Sequence, residues 1–138
     1  MSLPDFLILF TRESLDLAML VFLWLVQIII YPSFKKISRE YILSWHKSYQ
    51  TKVCLIMGPI MLLQIYGITI DLINSISPIT VIRFILLTIS WLLTIMISVP
   101  LHKKIESNND LERSIDKLIK TNVTRTFTWT SIYLTHFL

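Results

Sequence analysis

Glycine, cysteine and charge are all scarce in this 138-residue sequence. It contains two glycines, so a glycine-rich phosphate loop is excluded, and neither G-x-G-x-x-G nor G-x-x-x-x-G-K-[ST] occurs. The single cysteine, Cys54, excludes an internal disulfide. Charged residues make up 16% of the chain and hydrophobic residues 54%, with a mean hydropathy of +0.64. This composition is more apolar than a soluble domain requires and predicts an integral membrane protein.

Four stretches approach the length of about 20 mostly apolar residues that a helix needs to cross a bilayer. The predicted spans are residues 15–31, 53–73, 79–101 and 122–138. The second contains Pro59, which removes a backbone donor and predicts a kink. The fourth mixes threonines and an arginine with aromatic residues, which predicts a polar face toward the other helices. The sequence therefore predicts an all-α fold, a single four-helix membrane domain over residues 1–138.

Lysine and arginine are unevenly distributed between the spans. Residues 32–52 contain five of them and residues 102–121 another five, whereas only Arg12 precedes the first span and only Arg83 lies near the connection between the second and the third. The positive-inside rule places both rich segments in the cytoplasm and both termini outside, as in a multi-pass protein of the bacterial inner membrane. The basic residues accompany no nucleic-acid-binding motif, so they predict contact with the lipid bilayer and not with nucleic acid.

The segment of residues 3–10 is hydrophobic but lacks a basic region before it and a small-residue cleavage site after it. These features favour a short interfacial helix over a signal peptide. At the outer rim, Asp71 and Arg83 flank a short connection and are expected to pair across it. Glu13 and Asp16 are expected to be structural. Otherwise the outer half of the bundle is predicted to be almost wholly apolar, which argues against a channel or transporter.

Polar side chains gather near the cytoplasmic ends of the spans. Asn122, Arg125 and Trp129 recur at helical spacing on one face of the fourth span. Arg125 lies about 6 Å below the rim at about 1.5 Å per residue, and an ionisable group at that depth is a functional-site hypothesis. The other spans, with a helical lead-in before the second, supply further polar and aromatic residues: Gln27, Tyr31, Trp45, His46, Tyr49, Gln64 and His102. One cytoplasmic pocket, open to one side of the membrane, is predicted.

Five motifs occur in order along the chain: Gln27-x-x-x-Tyr31-Pro32-x-Phe34, Trp45-His46-x-x-Tyr49, Gly58-Pro59-x-Met61, Val99-Pro100-x-His102 and Asn122-x-x-Arg125-Thr126-x-x-Trp129-Thr130. Together they resemble a widespread bacterial family of small four-helix integral membrane proteins, which is distantly similar to the anthrone-oxygenase-like membrane domains. The resemblance covers about residues 27 to 130. It implies a four-helix fold and the location of a site, but no defined activity.

The chain departs from this family pattern at three positions. Tyr49 replaces a second histidine, Gln64 replaces a glutamate and Val123 replaces a tryptophan. The family set of two histidines, a glutamate and a later histidine would suit zinc, iron or copper. This chain retains His46 and His102 of that set, which are therefore its candidate metal ligands.

Three classes of function follow. In the first, the pocket binds a small hydrophobic, quinone-like or lipid-derived ligand, with His46, His102 and Arg125 as the catalytic residues. Arg125 would hold an anionic or carbonyl group and a histidine would move protons. The predicted ligand-binding residues are Gln27, Tyr31, Trp45, Tyr49, Gln64, Asn122 and Trp129. The resemblance favours an oxidoreductase-like activity for the enzymatic version.

The second class is a haem or metal-binding membrane protein with His46 and His102 as ligands, since helical bundles hold cofactors between facing histidines. The third is a structural or assembly protein, such as a homo-oligomer, in which the polar face of the fourth helix packs against neighbours. Structural explanations also exist for single residues. Arg125 can extend to lipid phosphates, and Trp45 and Trp129 can lie at the level of the head groups.

Overall fold

The computed structural model describes residues 11–108 and 110–138, which are helical apart from short connections. The four helices are α1 (Arg12–Lys36), α2 (Arg39–Asn74), α3 (Pro78–Glu106) and α4 (Leu111–Leu134). A short 3-10 turn, Thr135–Phe137, follows α4. No strand occurs within the described ranges. The all-helical, four-helix architecture is confirmed, whereas the interfacial helix predicted for residues 3–10 lies outside the described residues.

Three of the helices, α1, α2 and α3, are long and apolar enough to cross a membrane. They present large apolar side chains on their outer surfaces, among them Leu55, Ile56 and Met96, each about two-thirds exposed or more. This is the surface that a bilayer-facing helix requires. The predicted fourth span forms the second part of α4, which begins eleven residues earlier, at Leu111. Because α4 carries charges in its first turns and polar residues on its inner face, it does not share the composition of the other three.

The helix boundaries follow from local sequence. Thr11 caps α1, where its hydroxyl accepts a hydrogen bond from the backbone N–H of Ser14 at 3.2 Å. Ser77 and Thr80 form a reciprocal capping box at the start of α3, which satisfies two otherwise unpaired donors. At the other end of the bundle, α2 begins at Arg39 and continues without interruption through Pro59. The helical lead-in predicted before the second span is therefore confirmed.

Both α1 and α3 contain a π-helical turn that ends two residues before a proline: Val26–Ile30 before Pro32, and Thr94–Ser98 before Pro100. The backbone N–H of Tyr31 bonds the carbonyl of Val26, five residues back, and Val99 bonds Thr94 in the same way. Each π turn inserts one residue into the helix, which rotates the following side chains by about 100° around the axis. Tyr31 and His102, which follow these turns, are both buried inside the bundle.

The remaining segments of these two helices are α-helical over Arg12–Leu25, Tyr31–Ser33, Pro78–Leu93 and Val99–Glu106, with a 3-10 turn at Phe34–Lys36. Two apolar clusters fill the bundle. One, around Phe34, Ile105 and Leu118, lies at the end where α1 meets α2. The other, around Leu23, Leu87 and Trp129, lies nearer the opposite end. Polar side chains occupy two layers, one beside each cluster.

Candidate functional site

A chain of buried hydrogen bonds links three of the predicted site residues. Nε2 of His46 lies 2.8 Å from Nδ1 of His102. Nε2 of His102 lies 3.1 Å from the hydroxyl oxygen of Tyr31. His46 is fully buried and the other two are nearly so. Each residue comes from a different helix, and the π turns orient two of them, so the arrangement requires α1, α2 and α3 together.

One end of this chain reaches the edge of the bundle. Nδ1 of His46 has no hydrogen-bond partner among the described residues. The nearest acid to it is Glu106, whose Oε1 lies 3.8 Å away and whose side chain is partly exposed. That distance exceeds a hydrogen bond, so a rotation of Glu106 or one bridging water would connect His46 to solvent.

Arg125 is held in a buried network on the inner face of α4. Its NH1 donates to Oγ of Ser98 at 3.0 Å and to Oδ1 of Asn122 at 3.1 Å. Asn122, which is fully buried, in turn donates to Oε1 of Gln27 at 2.9 Å. The guanidinium carbon lies 5.9 Å from the ring centroid of Trp129, within cation–π range. The Nε–H of Arg125 is buried and has no partner among the described residues.

These two networks border a cavity of about 300 Å³ between α1, α2 and α3. Its walls are mainly apolar side chains: Met19, Phe22, Leu23, Val26, Val53, Met57, Met61 and Val99. Polar groups also line the cavity: Tyr31, Tyr49, Gln50, Thr94, Ser98, His102, Lys103, Glu106 and Arg125. A mostly apolar cavity with a few convergent polar groups is typical of small-molecule sites.

The wall formed by α2 leaves the cavity accessible. Gly58 lines it, and a β-carbon at that position would meet no atom within 4 Å. Cys54, one turn earlier, also lines the cavity and is exposed. The only cysteine of the chain is therefore a natural probe of the cavity.

The other predicted site residues lie at different distances from the cavity. Tyr49 lines it and stacks on Trp45, with ring centroids 5.5 Å apart. Trp45 is exposed and lies outside the lining. His46, Gln27 and Asn122 lie behind the lining and support residues that form it.

Gln64, predicted to line the same pocket, lies outside this group. It belongs to a second buried polar cluster near the opposite end of the bundle. Its Nε2 donates to Oδ1 of Asp16 at 2.6 Å, and its Oε1 accepts from Nε1 of Trp129 at 3.3 Å. Arg83 donates to Oδ2 of the same Asp16 at 2.9 Å, and Nε2 of His136 lies 2.7 Å from that oxygen. This second cluster joins all four helices and the turn after α4.

The second cluster corrects two expectations. Arg83 pairs with Asp16 and not with Asp71, whereas Asp71 forms its ion pair with Arg12. The outer half of the bundle is therefore not almost wholly apolar. The sequence contained a usable signal, because Asp16 and Arg83 lie four and five residues after the starts of α1 and α3. Because α1 and α3 run in the same direction through the bundle, opposite charges at similar distances from their first residues lie at similar depth and can form an ion pair.

No group of three or more histidine, cysteine, aspartate or glutamate side chains among the described residues is arranged to hold a metal ion. His46 and His102 direct one nitrogen each at the other ring, so these two nitrogens are engaged in a hydrogen bond. A metal there would have to replace this bond and recruit ligands of other types. The assignment of the pair as metal ligands stays a prediction.

Comparison with protein-family models, with curated proteins and with solved structures finds no match for this chain.

Proposed function

We propose that this chain is an integral protein of a bacterial inner membrane that binds a small amphipathic ligand between α1, α2 and α3 and exchanges a proton with it. One observation carries the proposal. The buried chain of hydrogen bonds from His46 through His102 to Tyr31 ends at a largely apolar cavity that Arg125 also lines.

The lining indicates the chemistry of the ligand. The apolar walls favour a hydrocarbon body, and the guanidinium of Arg125, which lines the cavity, favours an anionic or carbonyl oxygen at one end. The lining residues of α2 extend from Tyr49 to Met61, about 18 Å at about 1.5 Å per residue. A narrow cavity of that length fits a single-chain molecule with a polar head, such as a quinone or a fatty acid.

The histidines supply a route for the proton. An imidazole that accepts a proton at one nitrogen can release one from the other. A proton taken by His102, directly or through Tyr31, from a ligand that carries one, such as a carboxylic acid or a quinol, would pass to His46 and leave through Glu106. Tyr31, His102 and Glu106 of this route also line the cavity, whereas His46 lies outside the lining.

The membrane setting rests on the three long apolar helices and on the distribution of charge. The ten basic residues of the two rich segments lie at the end where α1 meets α2 and α3 meets α4. At the other end, Arg12 and Arg83 are both paired with carboxylates. Under the positive-inside rule the cavity opens toward the cytoplasm. Fusions to the carboxyl terminus test this: alkaline phosphatase should be active and green fluorescent protein dark, and the reverse pattern would contradict the orientation.

Ligand binding is tested through Cys54 in protein purified in mild detergent. A short-chain ubiquinone analogue and dodecanoate are added separately, and the rate of Cys54 alkylation by a small maleimide is measured. We expect at least one probe to slow alkylation in a saturable manner. Arg125→Gln should weaken that protection while alkylation without ligand stays unchanged, because Arg125 contacts the head of the ligand and not Cys54.

A matched control uses the Cys54→Ser protein with a new cysteine at Thr124, an exposed position of α4 outside the cavity lining. Alkylation there should not respond to either probe. If neither probe protects Cys54, or if both positions respond alike, the proposed site is wrong.

The same preparation tests the haem or metal alternative. An absorption spectrum with a Soret band, or a stoichiometric metal, would support a cofactor held at the histidine pair if the His46→Ala variant loses it. A preparation without either, together with ligand protection at Cys54, would favour the cofactor-free pocket.

A further inference from the structure

The first turns of α4 separate their charges by face. Glu112 and Asp116 lie one turn apart and form ion pairs with two basic residues at the connection between α1 and α2. Arg113 and Lys117 also lie one turn apart, but one residue further along, so they project about 100° away around the helix. The two acids on one face of this segment are therefore neutralised by ion pairs, whereas Arg113 and Lys117 on the other face are not.

The unneutralised face borders a second cavity, of about 490 Å³, at the end of the bundle where α3 meets α4. Arg113 and Lys117 line it from α4 and Lys104 lines it from the last turn of α3. Within the described part of the chain, none of these three cations has a carboxylate within 4.0 Å. Asp110 is the one acid in the lining. Three cations against one carboxylate leave an excess of positive charge.

Two other lining residues show where this cavity lies in the fold. Leu101, a buried residue near the end of the apolar part of α3, forms part of the lining. Asp110 immediately precedes α4, so the backbone N–H groups of the first turn lie beside the cavity and add to its positive potential. The cavity thus lies between the apolar part of the bundle and its charged rim.

We infer that the cavity lined by Lys104, Arg113 and Lys117 is a binding site for a phosphate group. Arginine binds phosphate through two parallel hydrogen bonds and lysine binds it as a point charge, and cations on two helices can approach its oxygens from different directions. The phosphate belongs either to an anionic phospholipid or to a soluble phosphate compound. The inference is independent of the ligand proposed for the cavity beside Arg125.

The test compares two triple variants with the same change in net charge. Lys104→Gln/Arg113→Gln/Lys117→Gln removes the proposed site. Lys36→Gln/Lys47→Gln/Lys52→Gln removes three exposed lysines outside the cavity lining. Each protein is measured with phosphatidylglycerol, with zwitterionic phosphatidylcholine and with inorganic phosphate, by native mass spectrometry and by the shift in thermal midpoint. Unchanged helical content by circular dichroism establishes that the variants are folded.

For a lipid source, we expect the wild-type chain and the control variant to retain phosphatidylglycerol in preference to phosphatidylcholine. The site variant should bind it about a hundredfold more weakly, at about fivefold for each cation removed. For a soluble source, inorganic phosphate should raise the thermal midpoint of the wild-type and control proteins but not of the site variant. Equal losses in the two triple variants, or binding unchanged in the site variant, would overturn the inference. If the triple site variant does not fold, the single variants Arg113→Gln and Lys36→Gln give the same comparison.

Discussion

Nε2 of His46 and Nδ1 of His102 share one hydrogen between two buried imidazoles, 2.8 Å apart. Such a bond needs an N–H on one ring and a lone pair on the other. The row of hydrogen bonds from Tyr31 through His102 to His46 therefore has two complete arrangements, in which every hydrogen bond points in the opposite direction. While the bond persists, the pair can take up one additional proton but not two, because two imidazolium rings would direct N–H at N–H.

This constraint predicts coupled titration of the histidines. In protein with ¹⁵N-labelled histidine, acidification should add a single proton to the His46–His102 pair before the bond between the rings breaks, with both rings responding to the same event. The chain has three histidines, and the variant His136→Gln identifies the third signal. Two independent titrations at His46 and His102, each like that of a free imidazole, would contradict the arrangement.

Asn122 is predicted to stabilise the fold by holding Arg125. It accepts a hydrogen bond from that guanidinium and donates one to Gln27 in the buried interior. Asn122→Ala should lower the free energy of unfolding by about 1–3 kcal/mol, because it leaves buried polar groups unpaired. Tryptophan fluorescence during thermal unfolding in detergent measures this. Thr124→Ala, at an exposed position of the same helix, is the control and should change little.

Asp16 is predicted to be the most sensitive position of the second cluster. Asp16→Ala leaves Arg83 buried without its anion and should cost about 3–5 kcal/mol of stability. The double variant Asp16→Ala/Arg83→Met removes both charges and should recover part of the loss, so the two single effects should not add. Glu13→Gln, an exposed acid on the same helix, is the control. Additive effects in the double variant would show that the two charges do not interact.

Gly58 is predicted to determine the width of the ligand cavity. Gly58→Ala should be tolerated, since a β-carbon there meets nothing within 4 Å. Alanine has a higher helix propensity than glycine, which stabilises the helix by at most about 1 kcal/mol. Steric crowding with the following Pro59 reduces this gain. Gly58→Leu should fill the cavity, which would slow alkylation of Cys54 and abolish protection by either probe. Gly67→Ala, where the β-carbon meets only ordinary contacts with Arg12, should leave alkylation unaltered.

The ion pair between Lys35 and Asp116 is predicted to respond to pH. The hydrogen bond and charge of Lys35 lower the pKa of the Asp116 carboxyl below its usual value of 3.8. A depressed folded-state pKa contributes stability above the unfolded value, and that contribution is lost as the pH falls through the folded value. The thermal midpoints of wild type and Asp116→Asn should therefore differ slightly at neutral pH and converge in acid. High salt should reduce the same difference, and a difference that grows in acid would contradict the assignment.

The sequence was sufficient to predict the four helices, because long apolar runs and helical spacing are local properties. It also led to the grouping of His46, His102 and Tyr31, since each lies near the same end of its span. The pairing partners could not be read in this way. Gln64 lies closer to the middle of α2, where depth along the helix does not decide which polar layer it joins. The neighbouring α1 supplied Asp16, and that contact depends on packing across 48 residues of sequence.

The π turns were also beyond prediction from hydropathy. Pro32 and Pro100 were visible in the sequence, but a proline in a helix is compatible with a kink, a break or a π turn. Of these three, only a π turn inserts the extra residue that rotates the side chains of Tyr31 and His102 around the helix axis. The residues of the site could therefore be named from spacing, whereas their mutual orientation required the three-dimensional structure.

The bond between Asp16 and Arg83 also constrains how the protein is made. Ribosomes synthesise α1 before α3, since Arg83 follows Asp16 by 67 residues, and His136 follows Asp16 by 120 residues. During synthesis, Gln64 of α2 is the first of these partners of Asp16 to be made. The guanidinium of Arg83 follows with α3, and His136 follows only after α4. The charge of Asp16 is therefore neutralised only after two further helices have begun to be synthesised, so the final environment of α1 depends on residues that lie far along the chain.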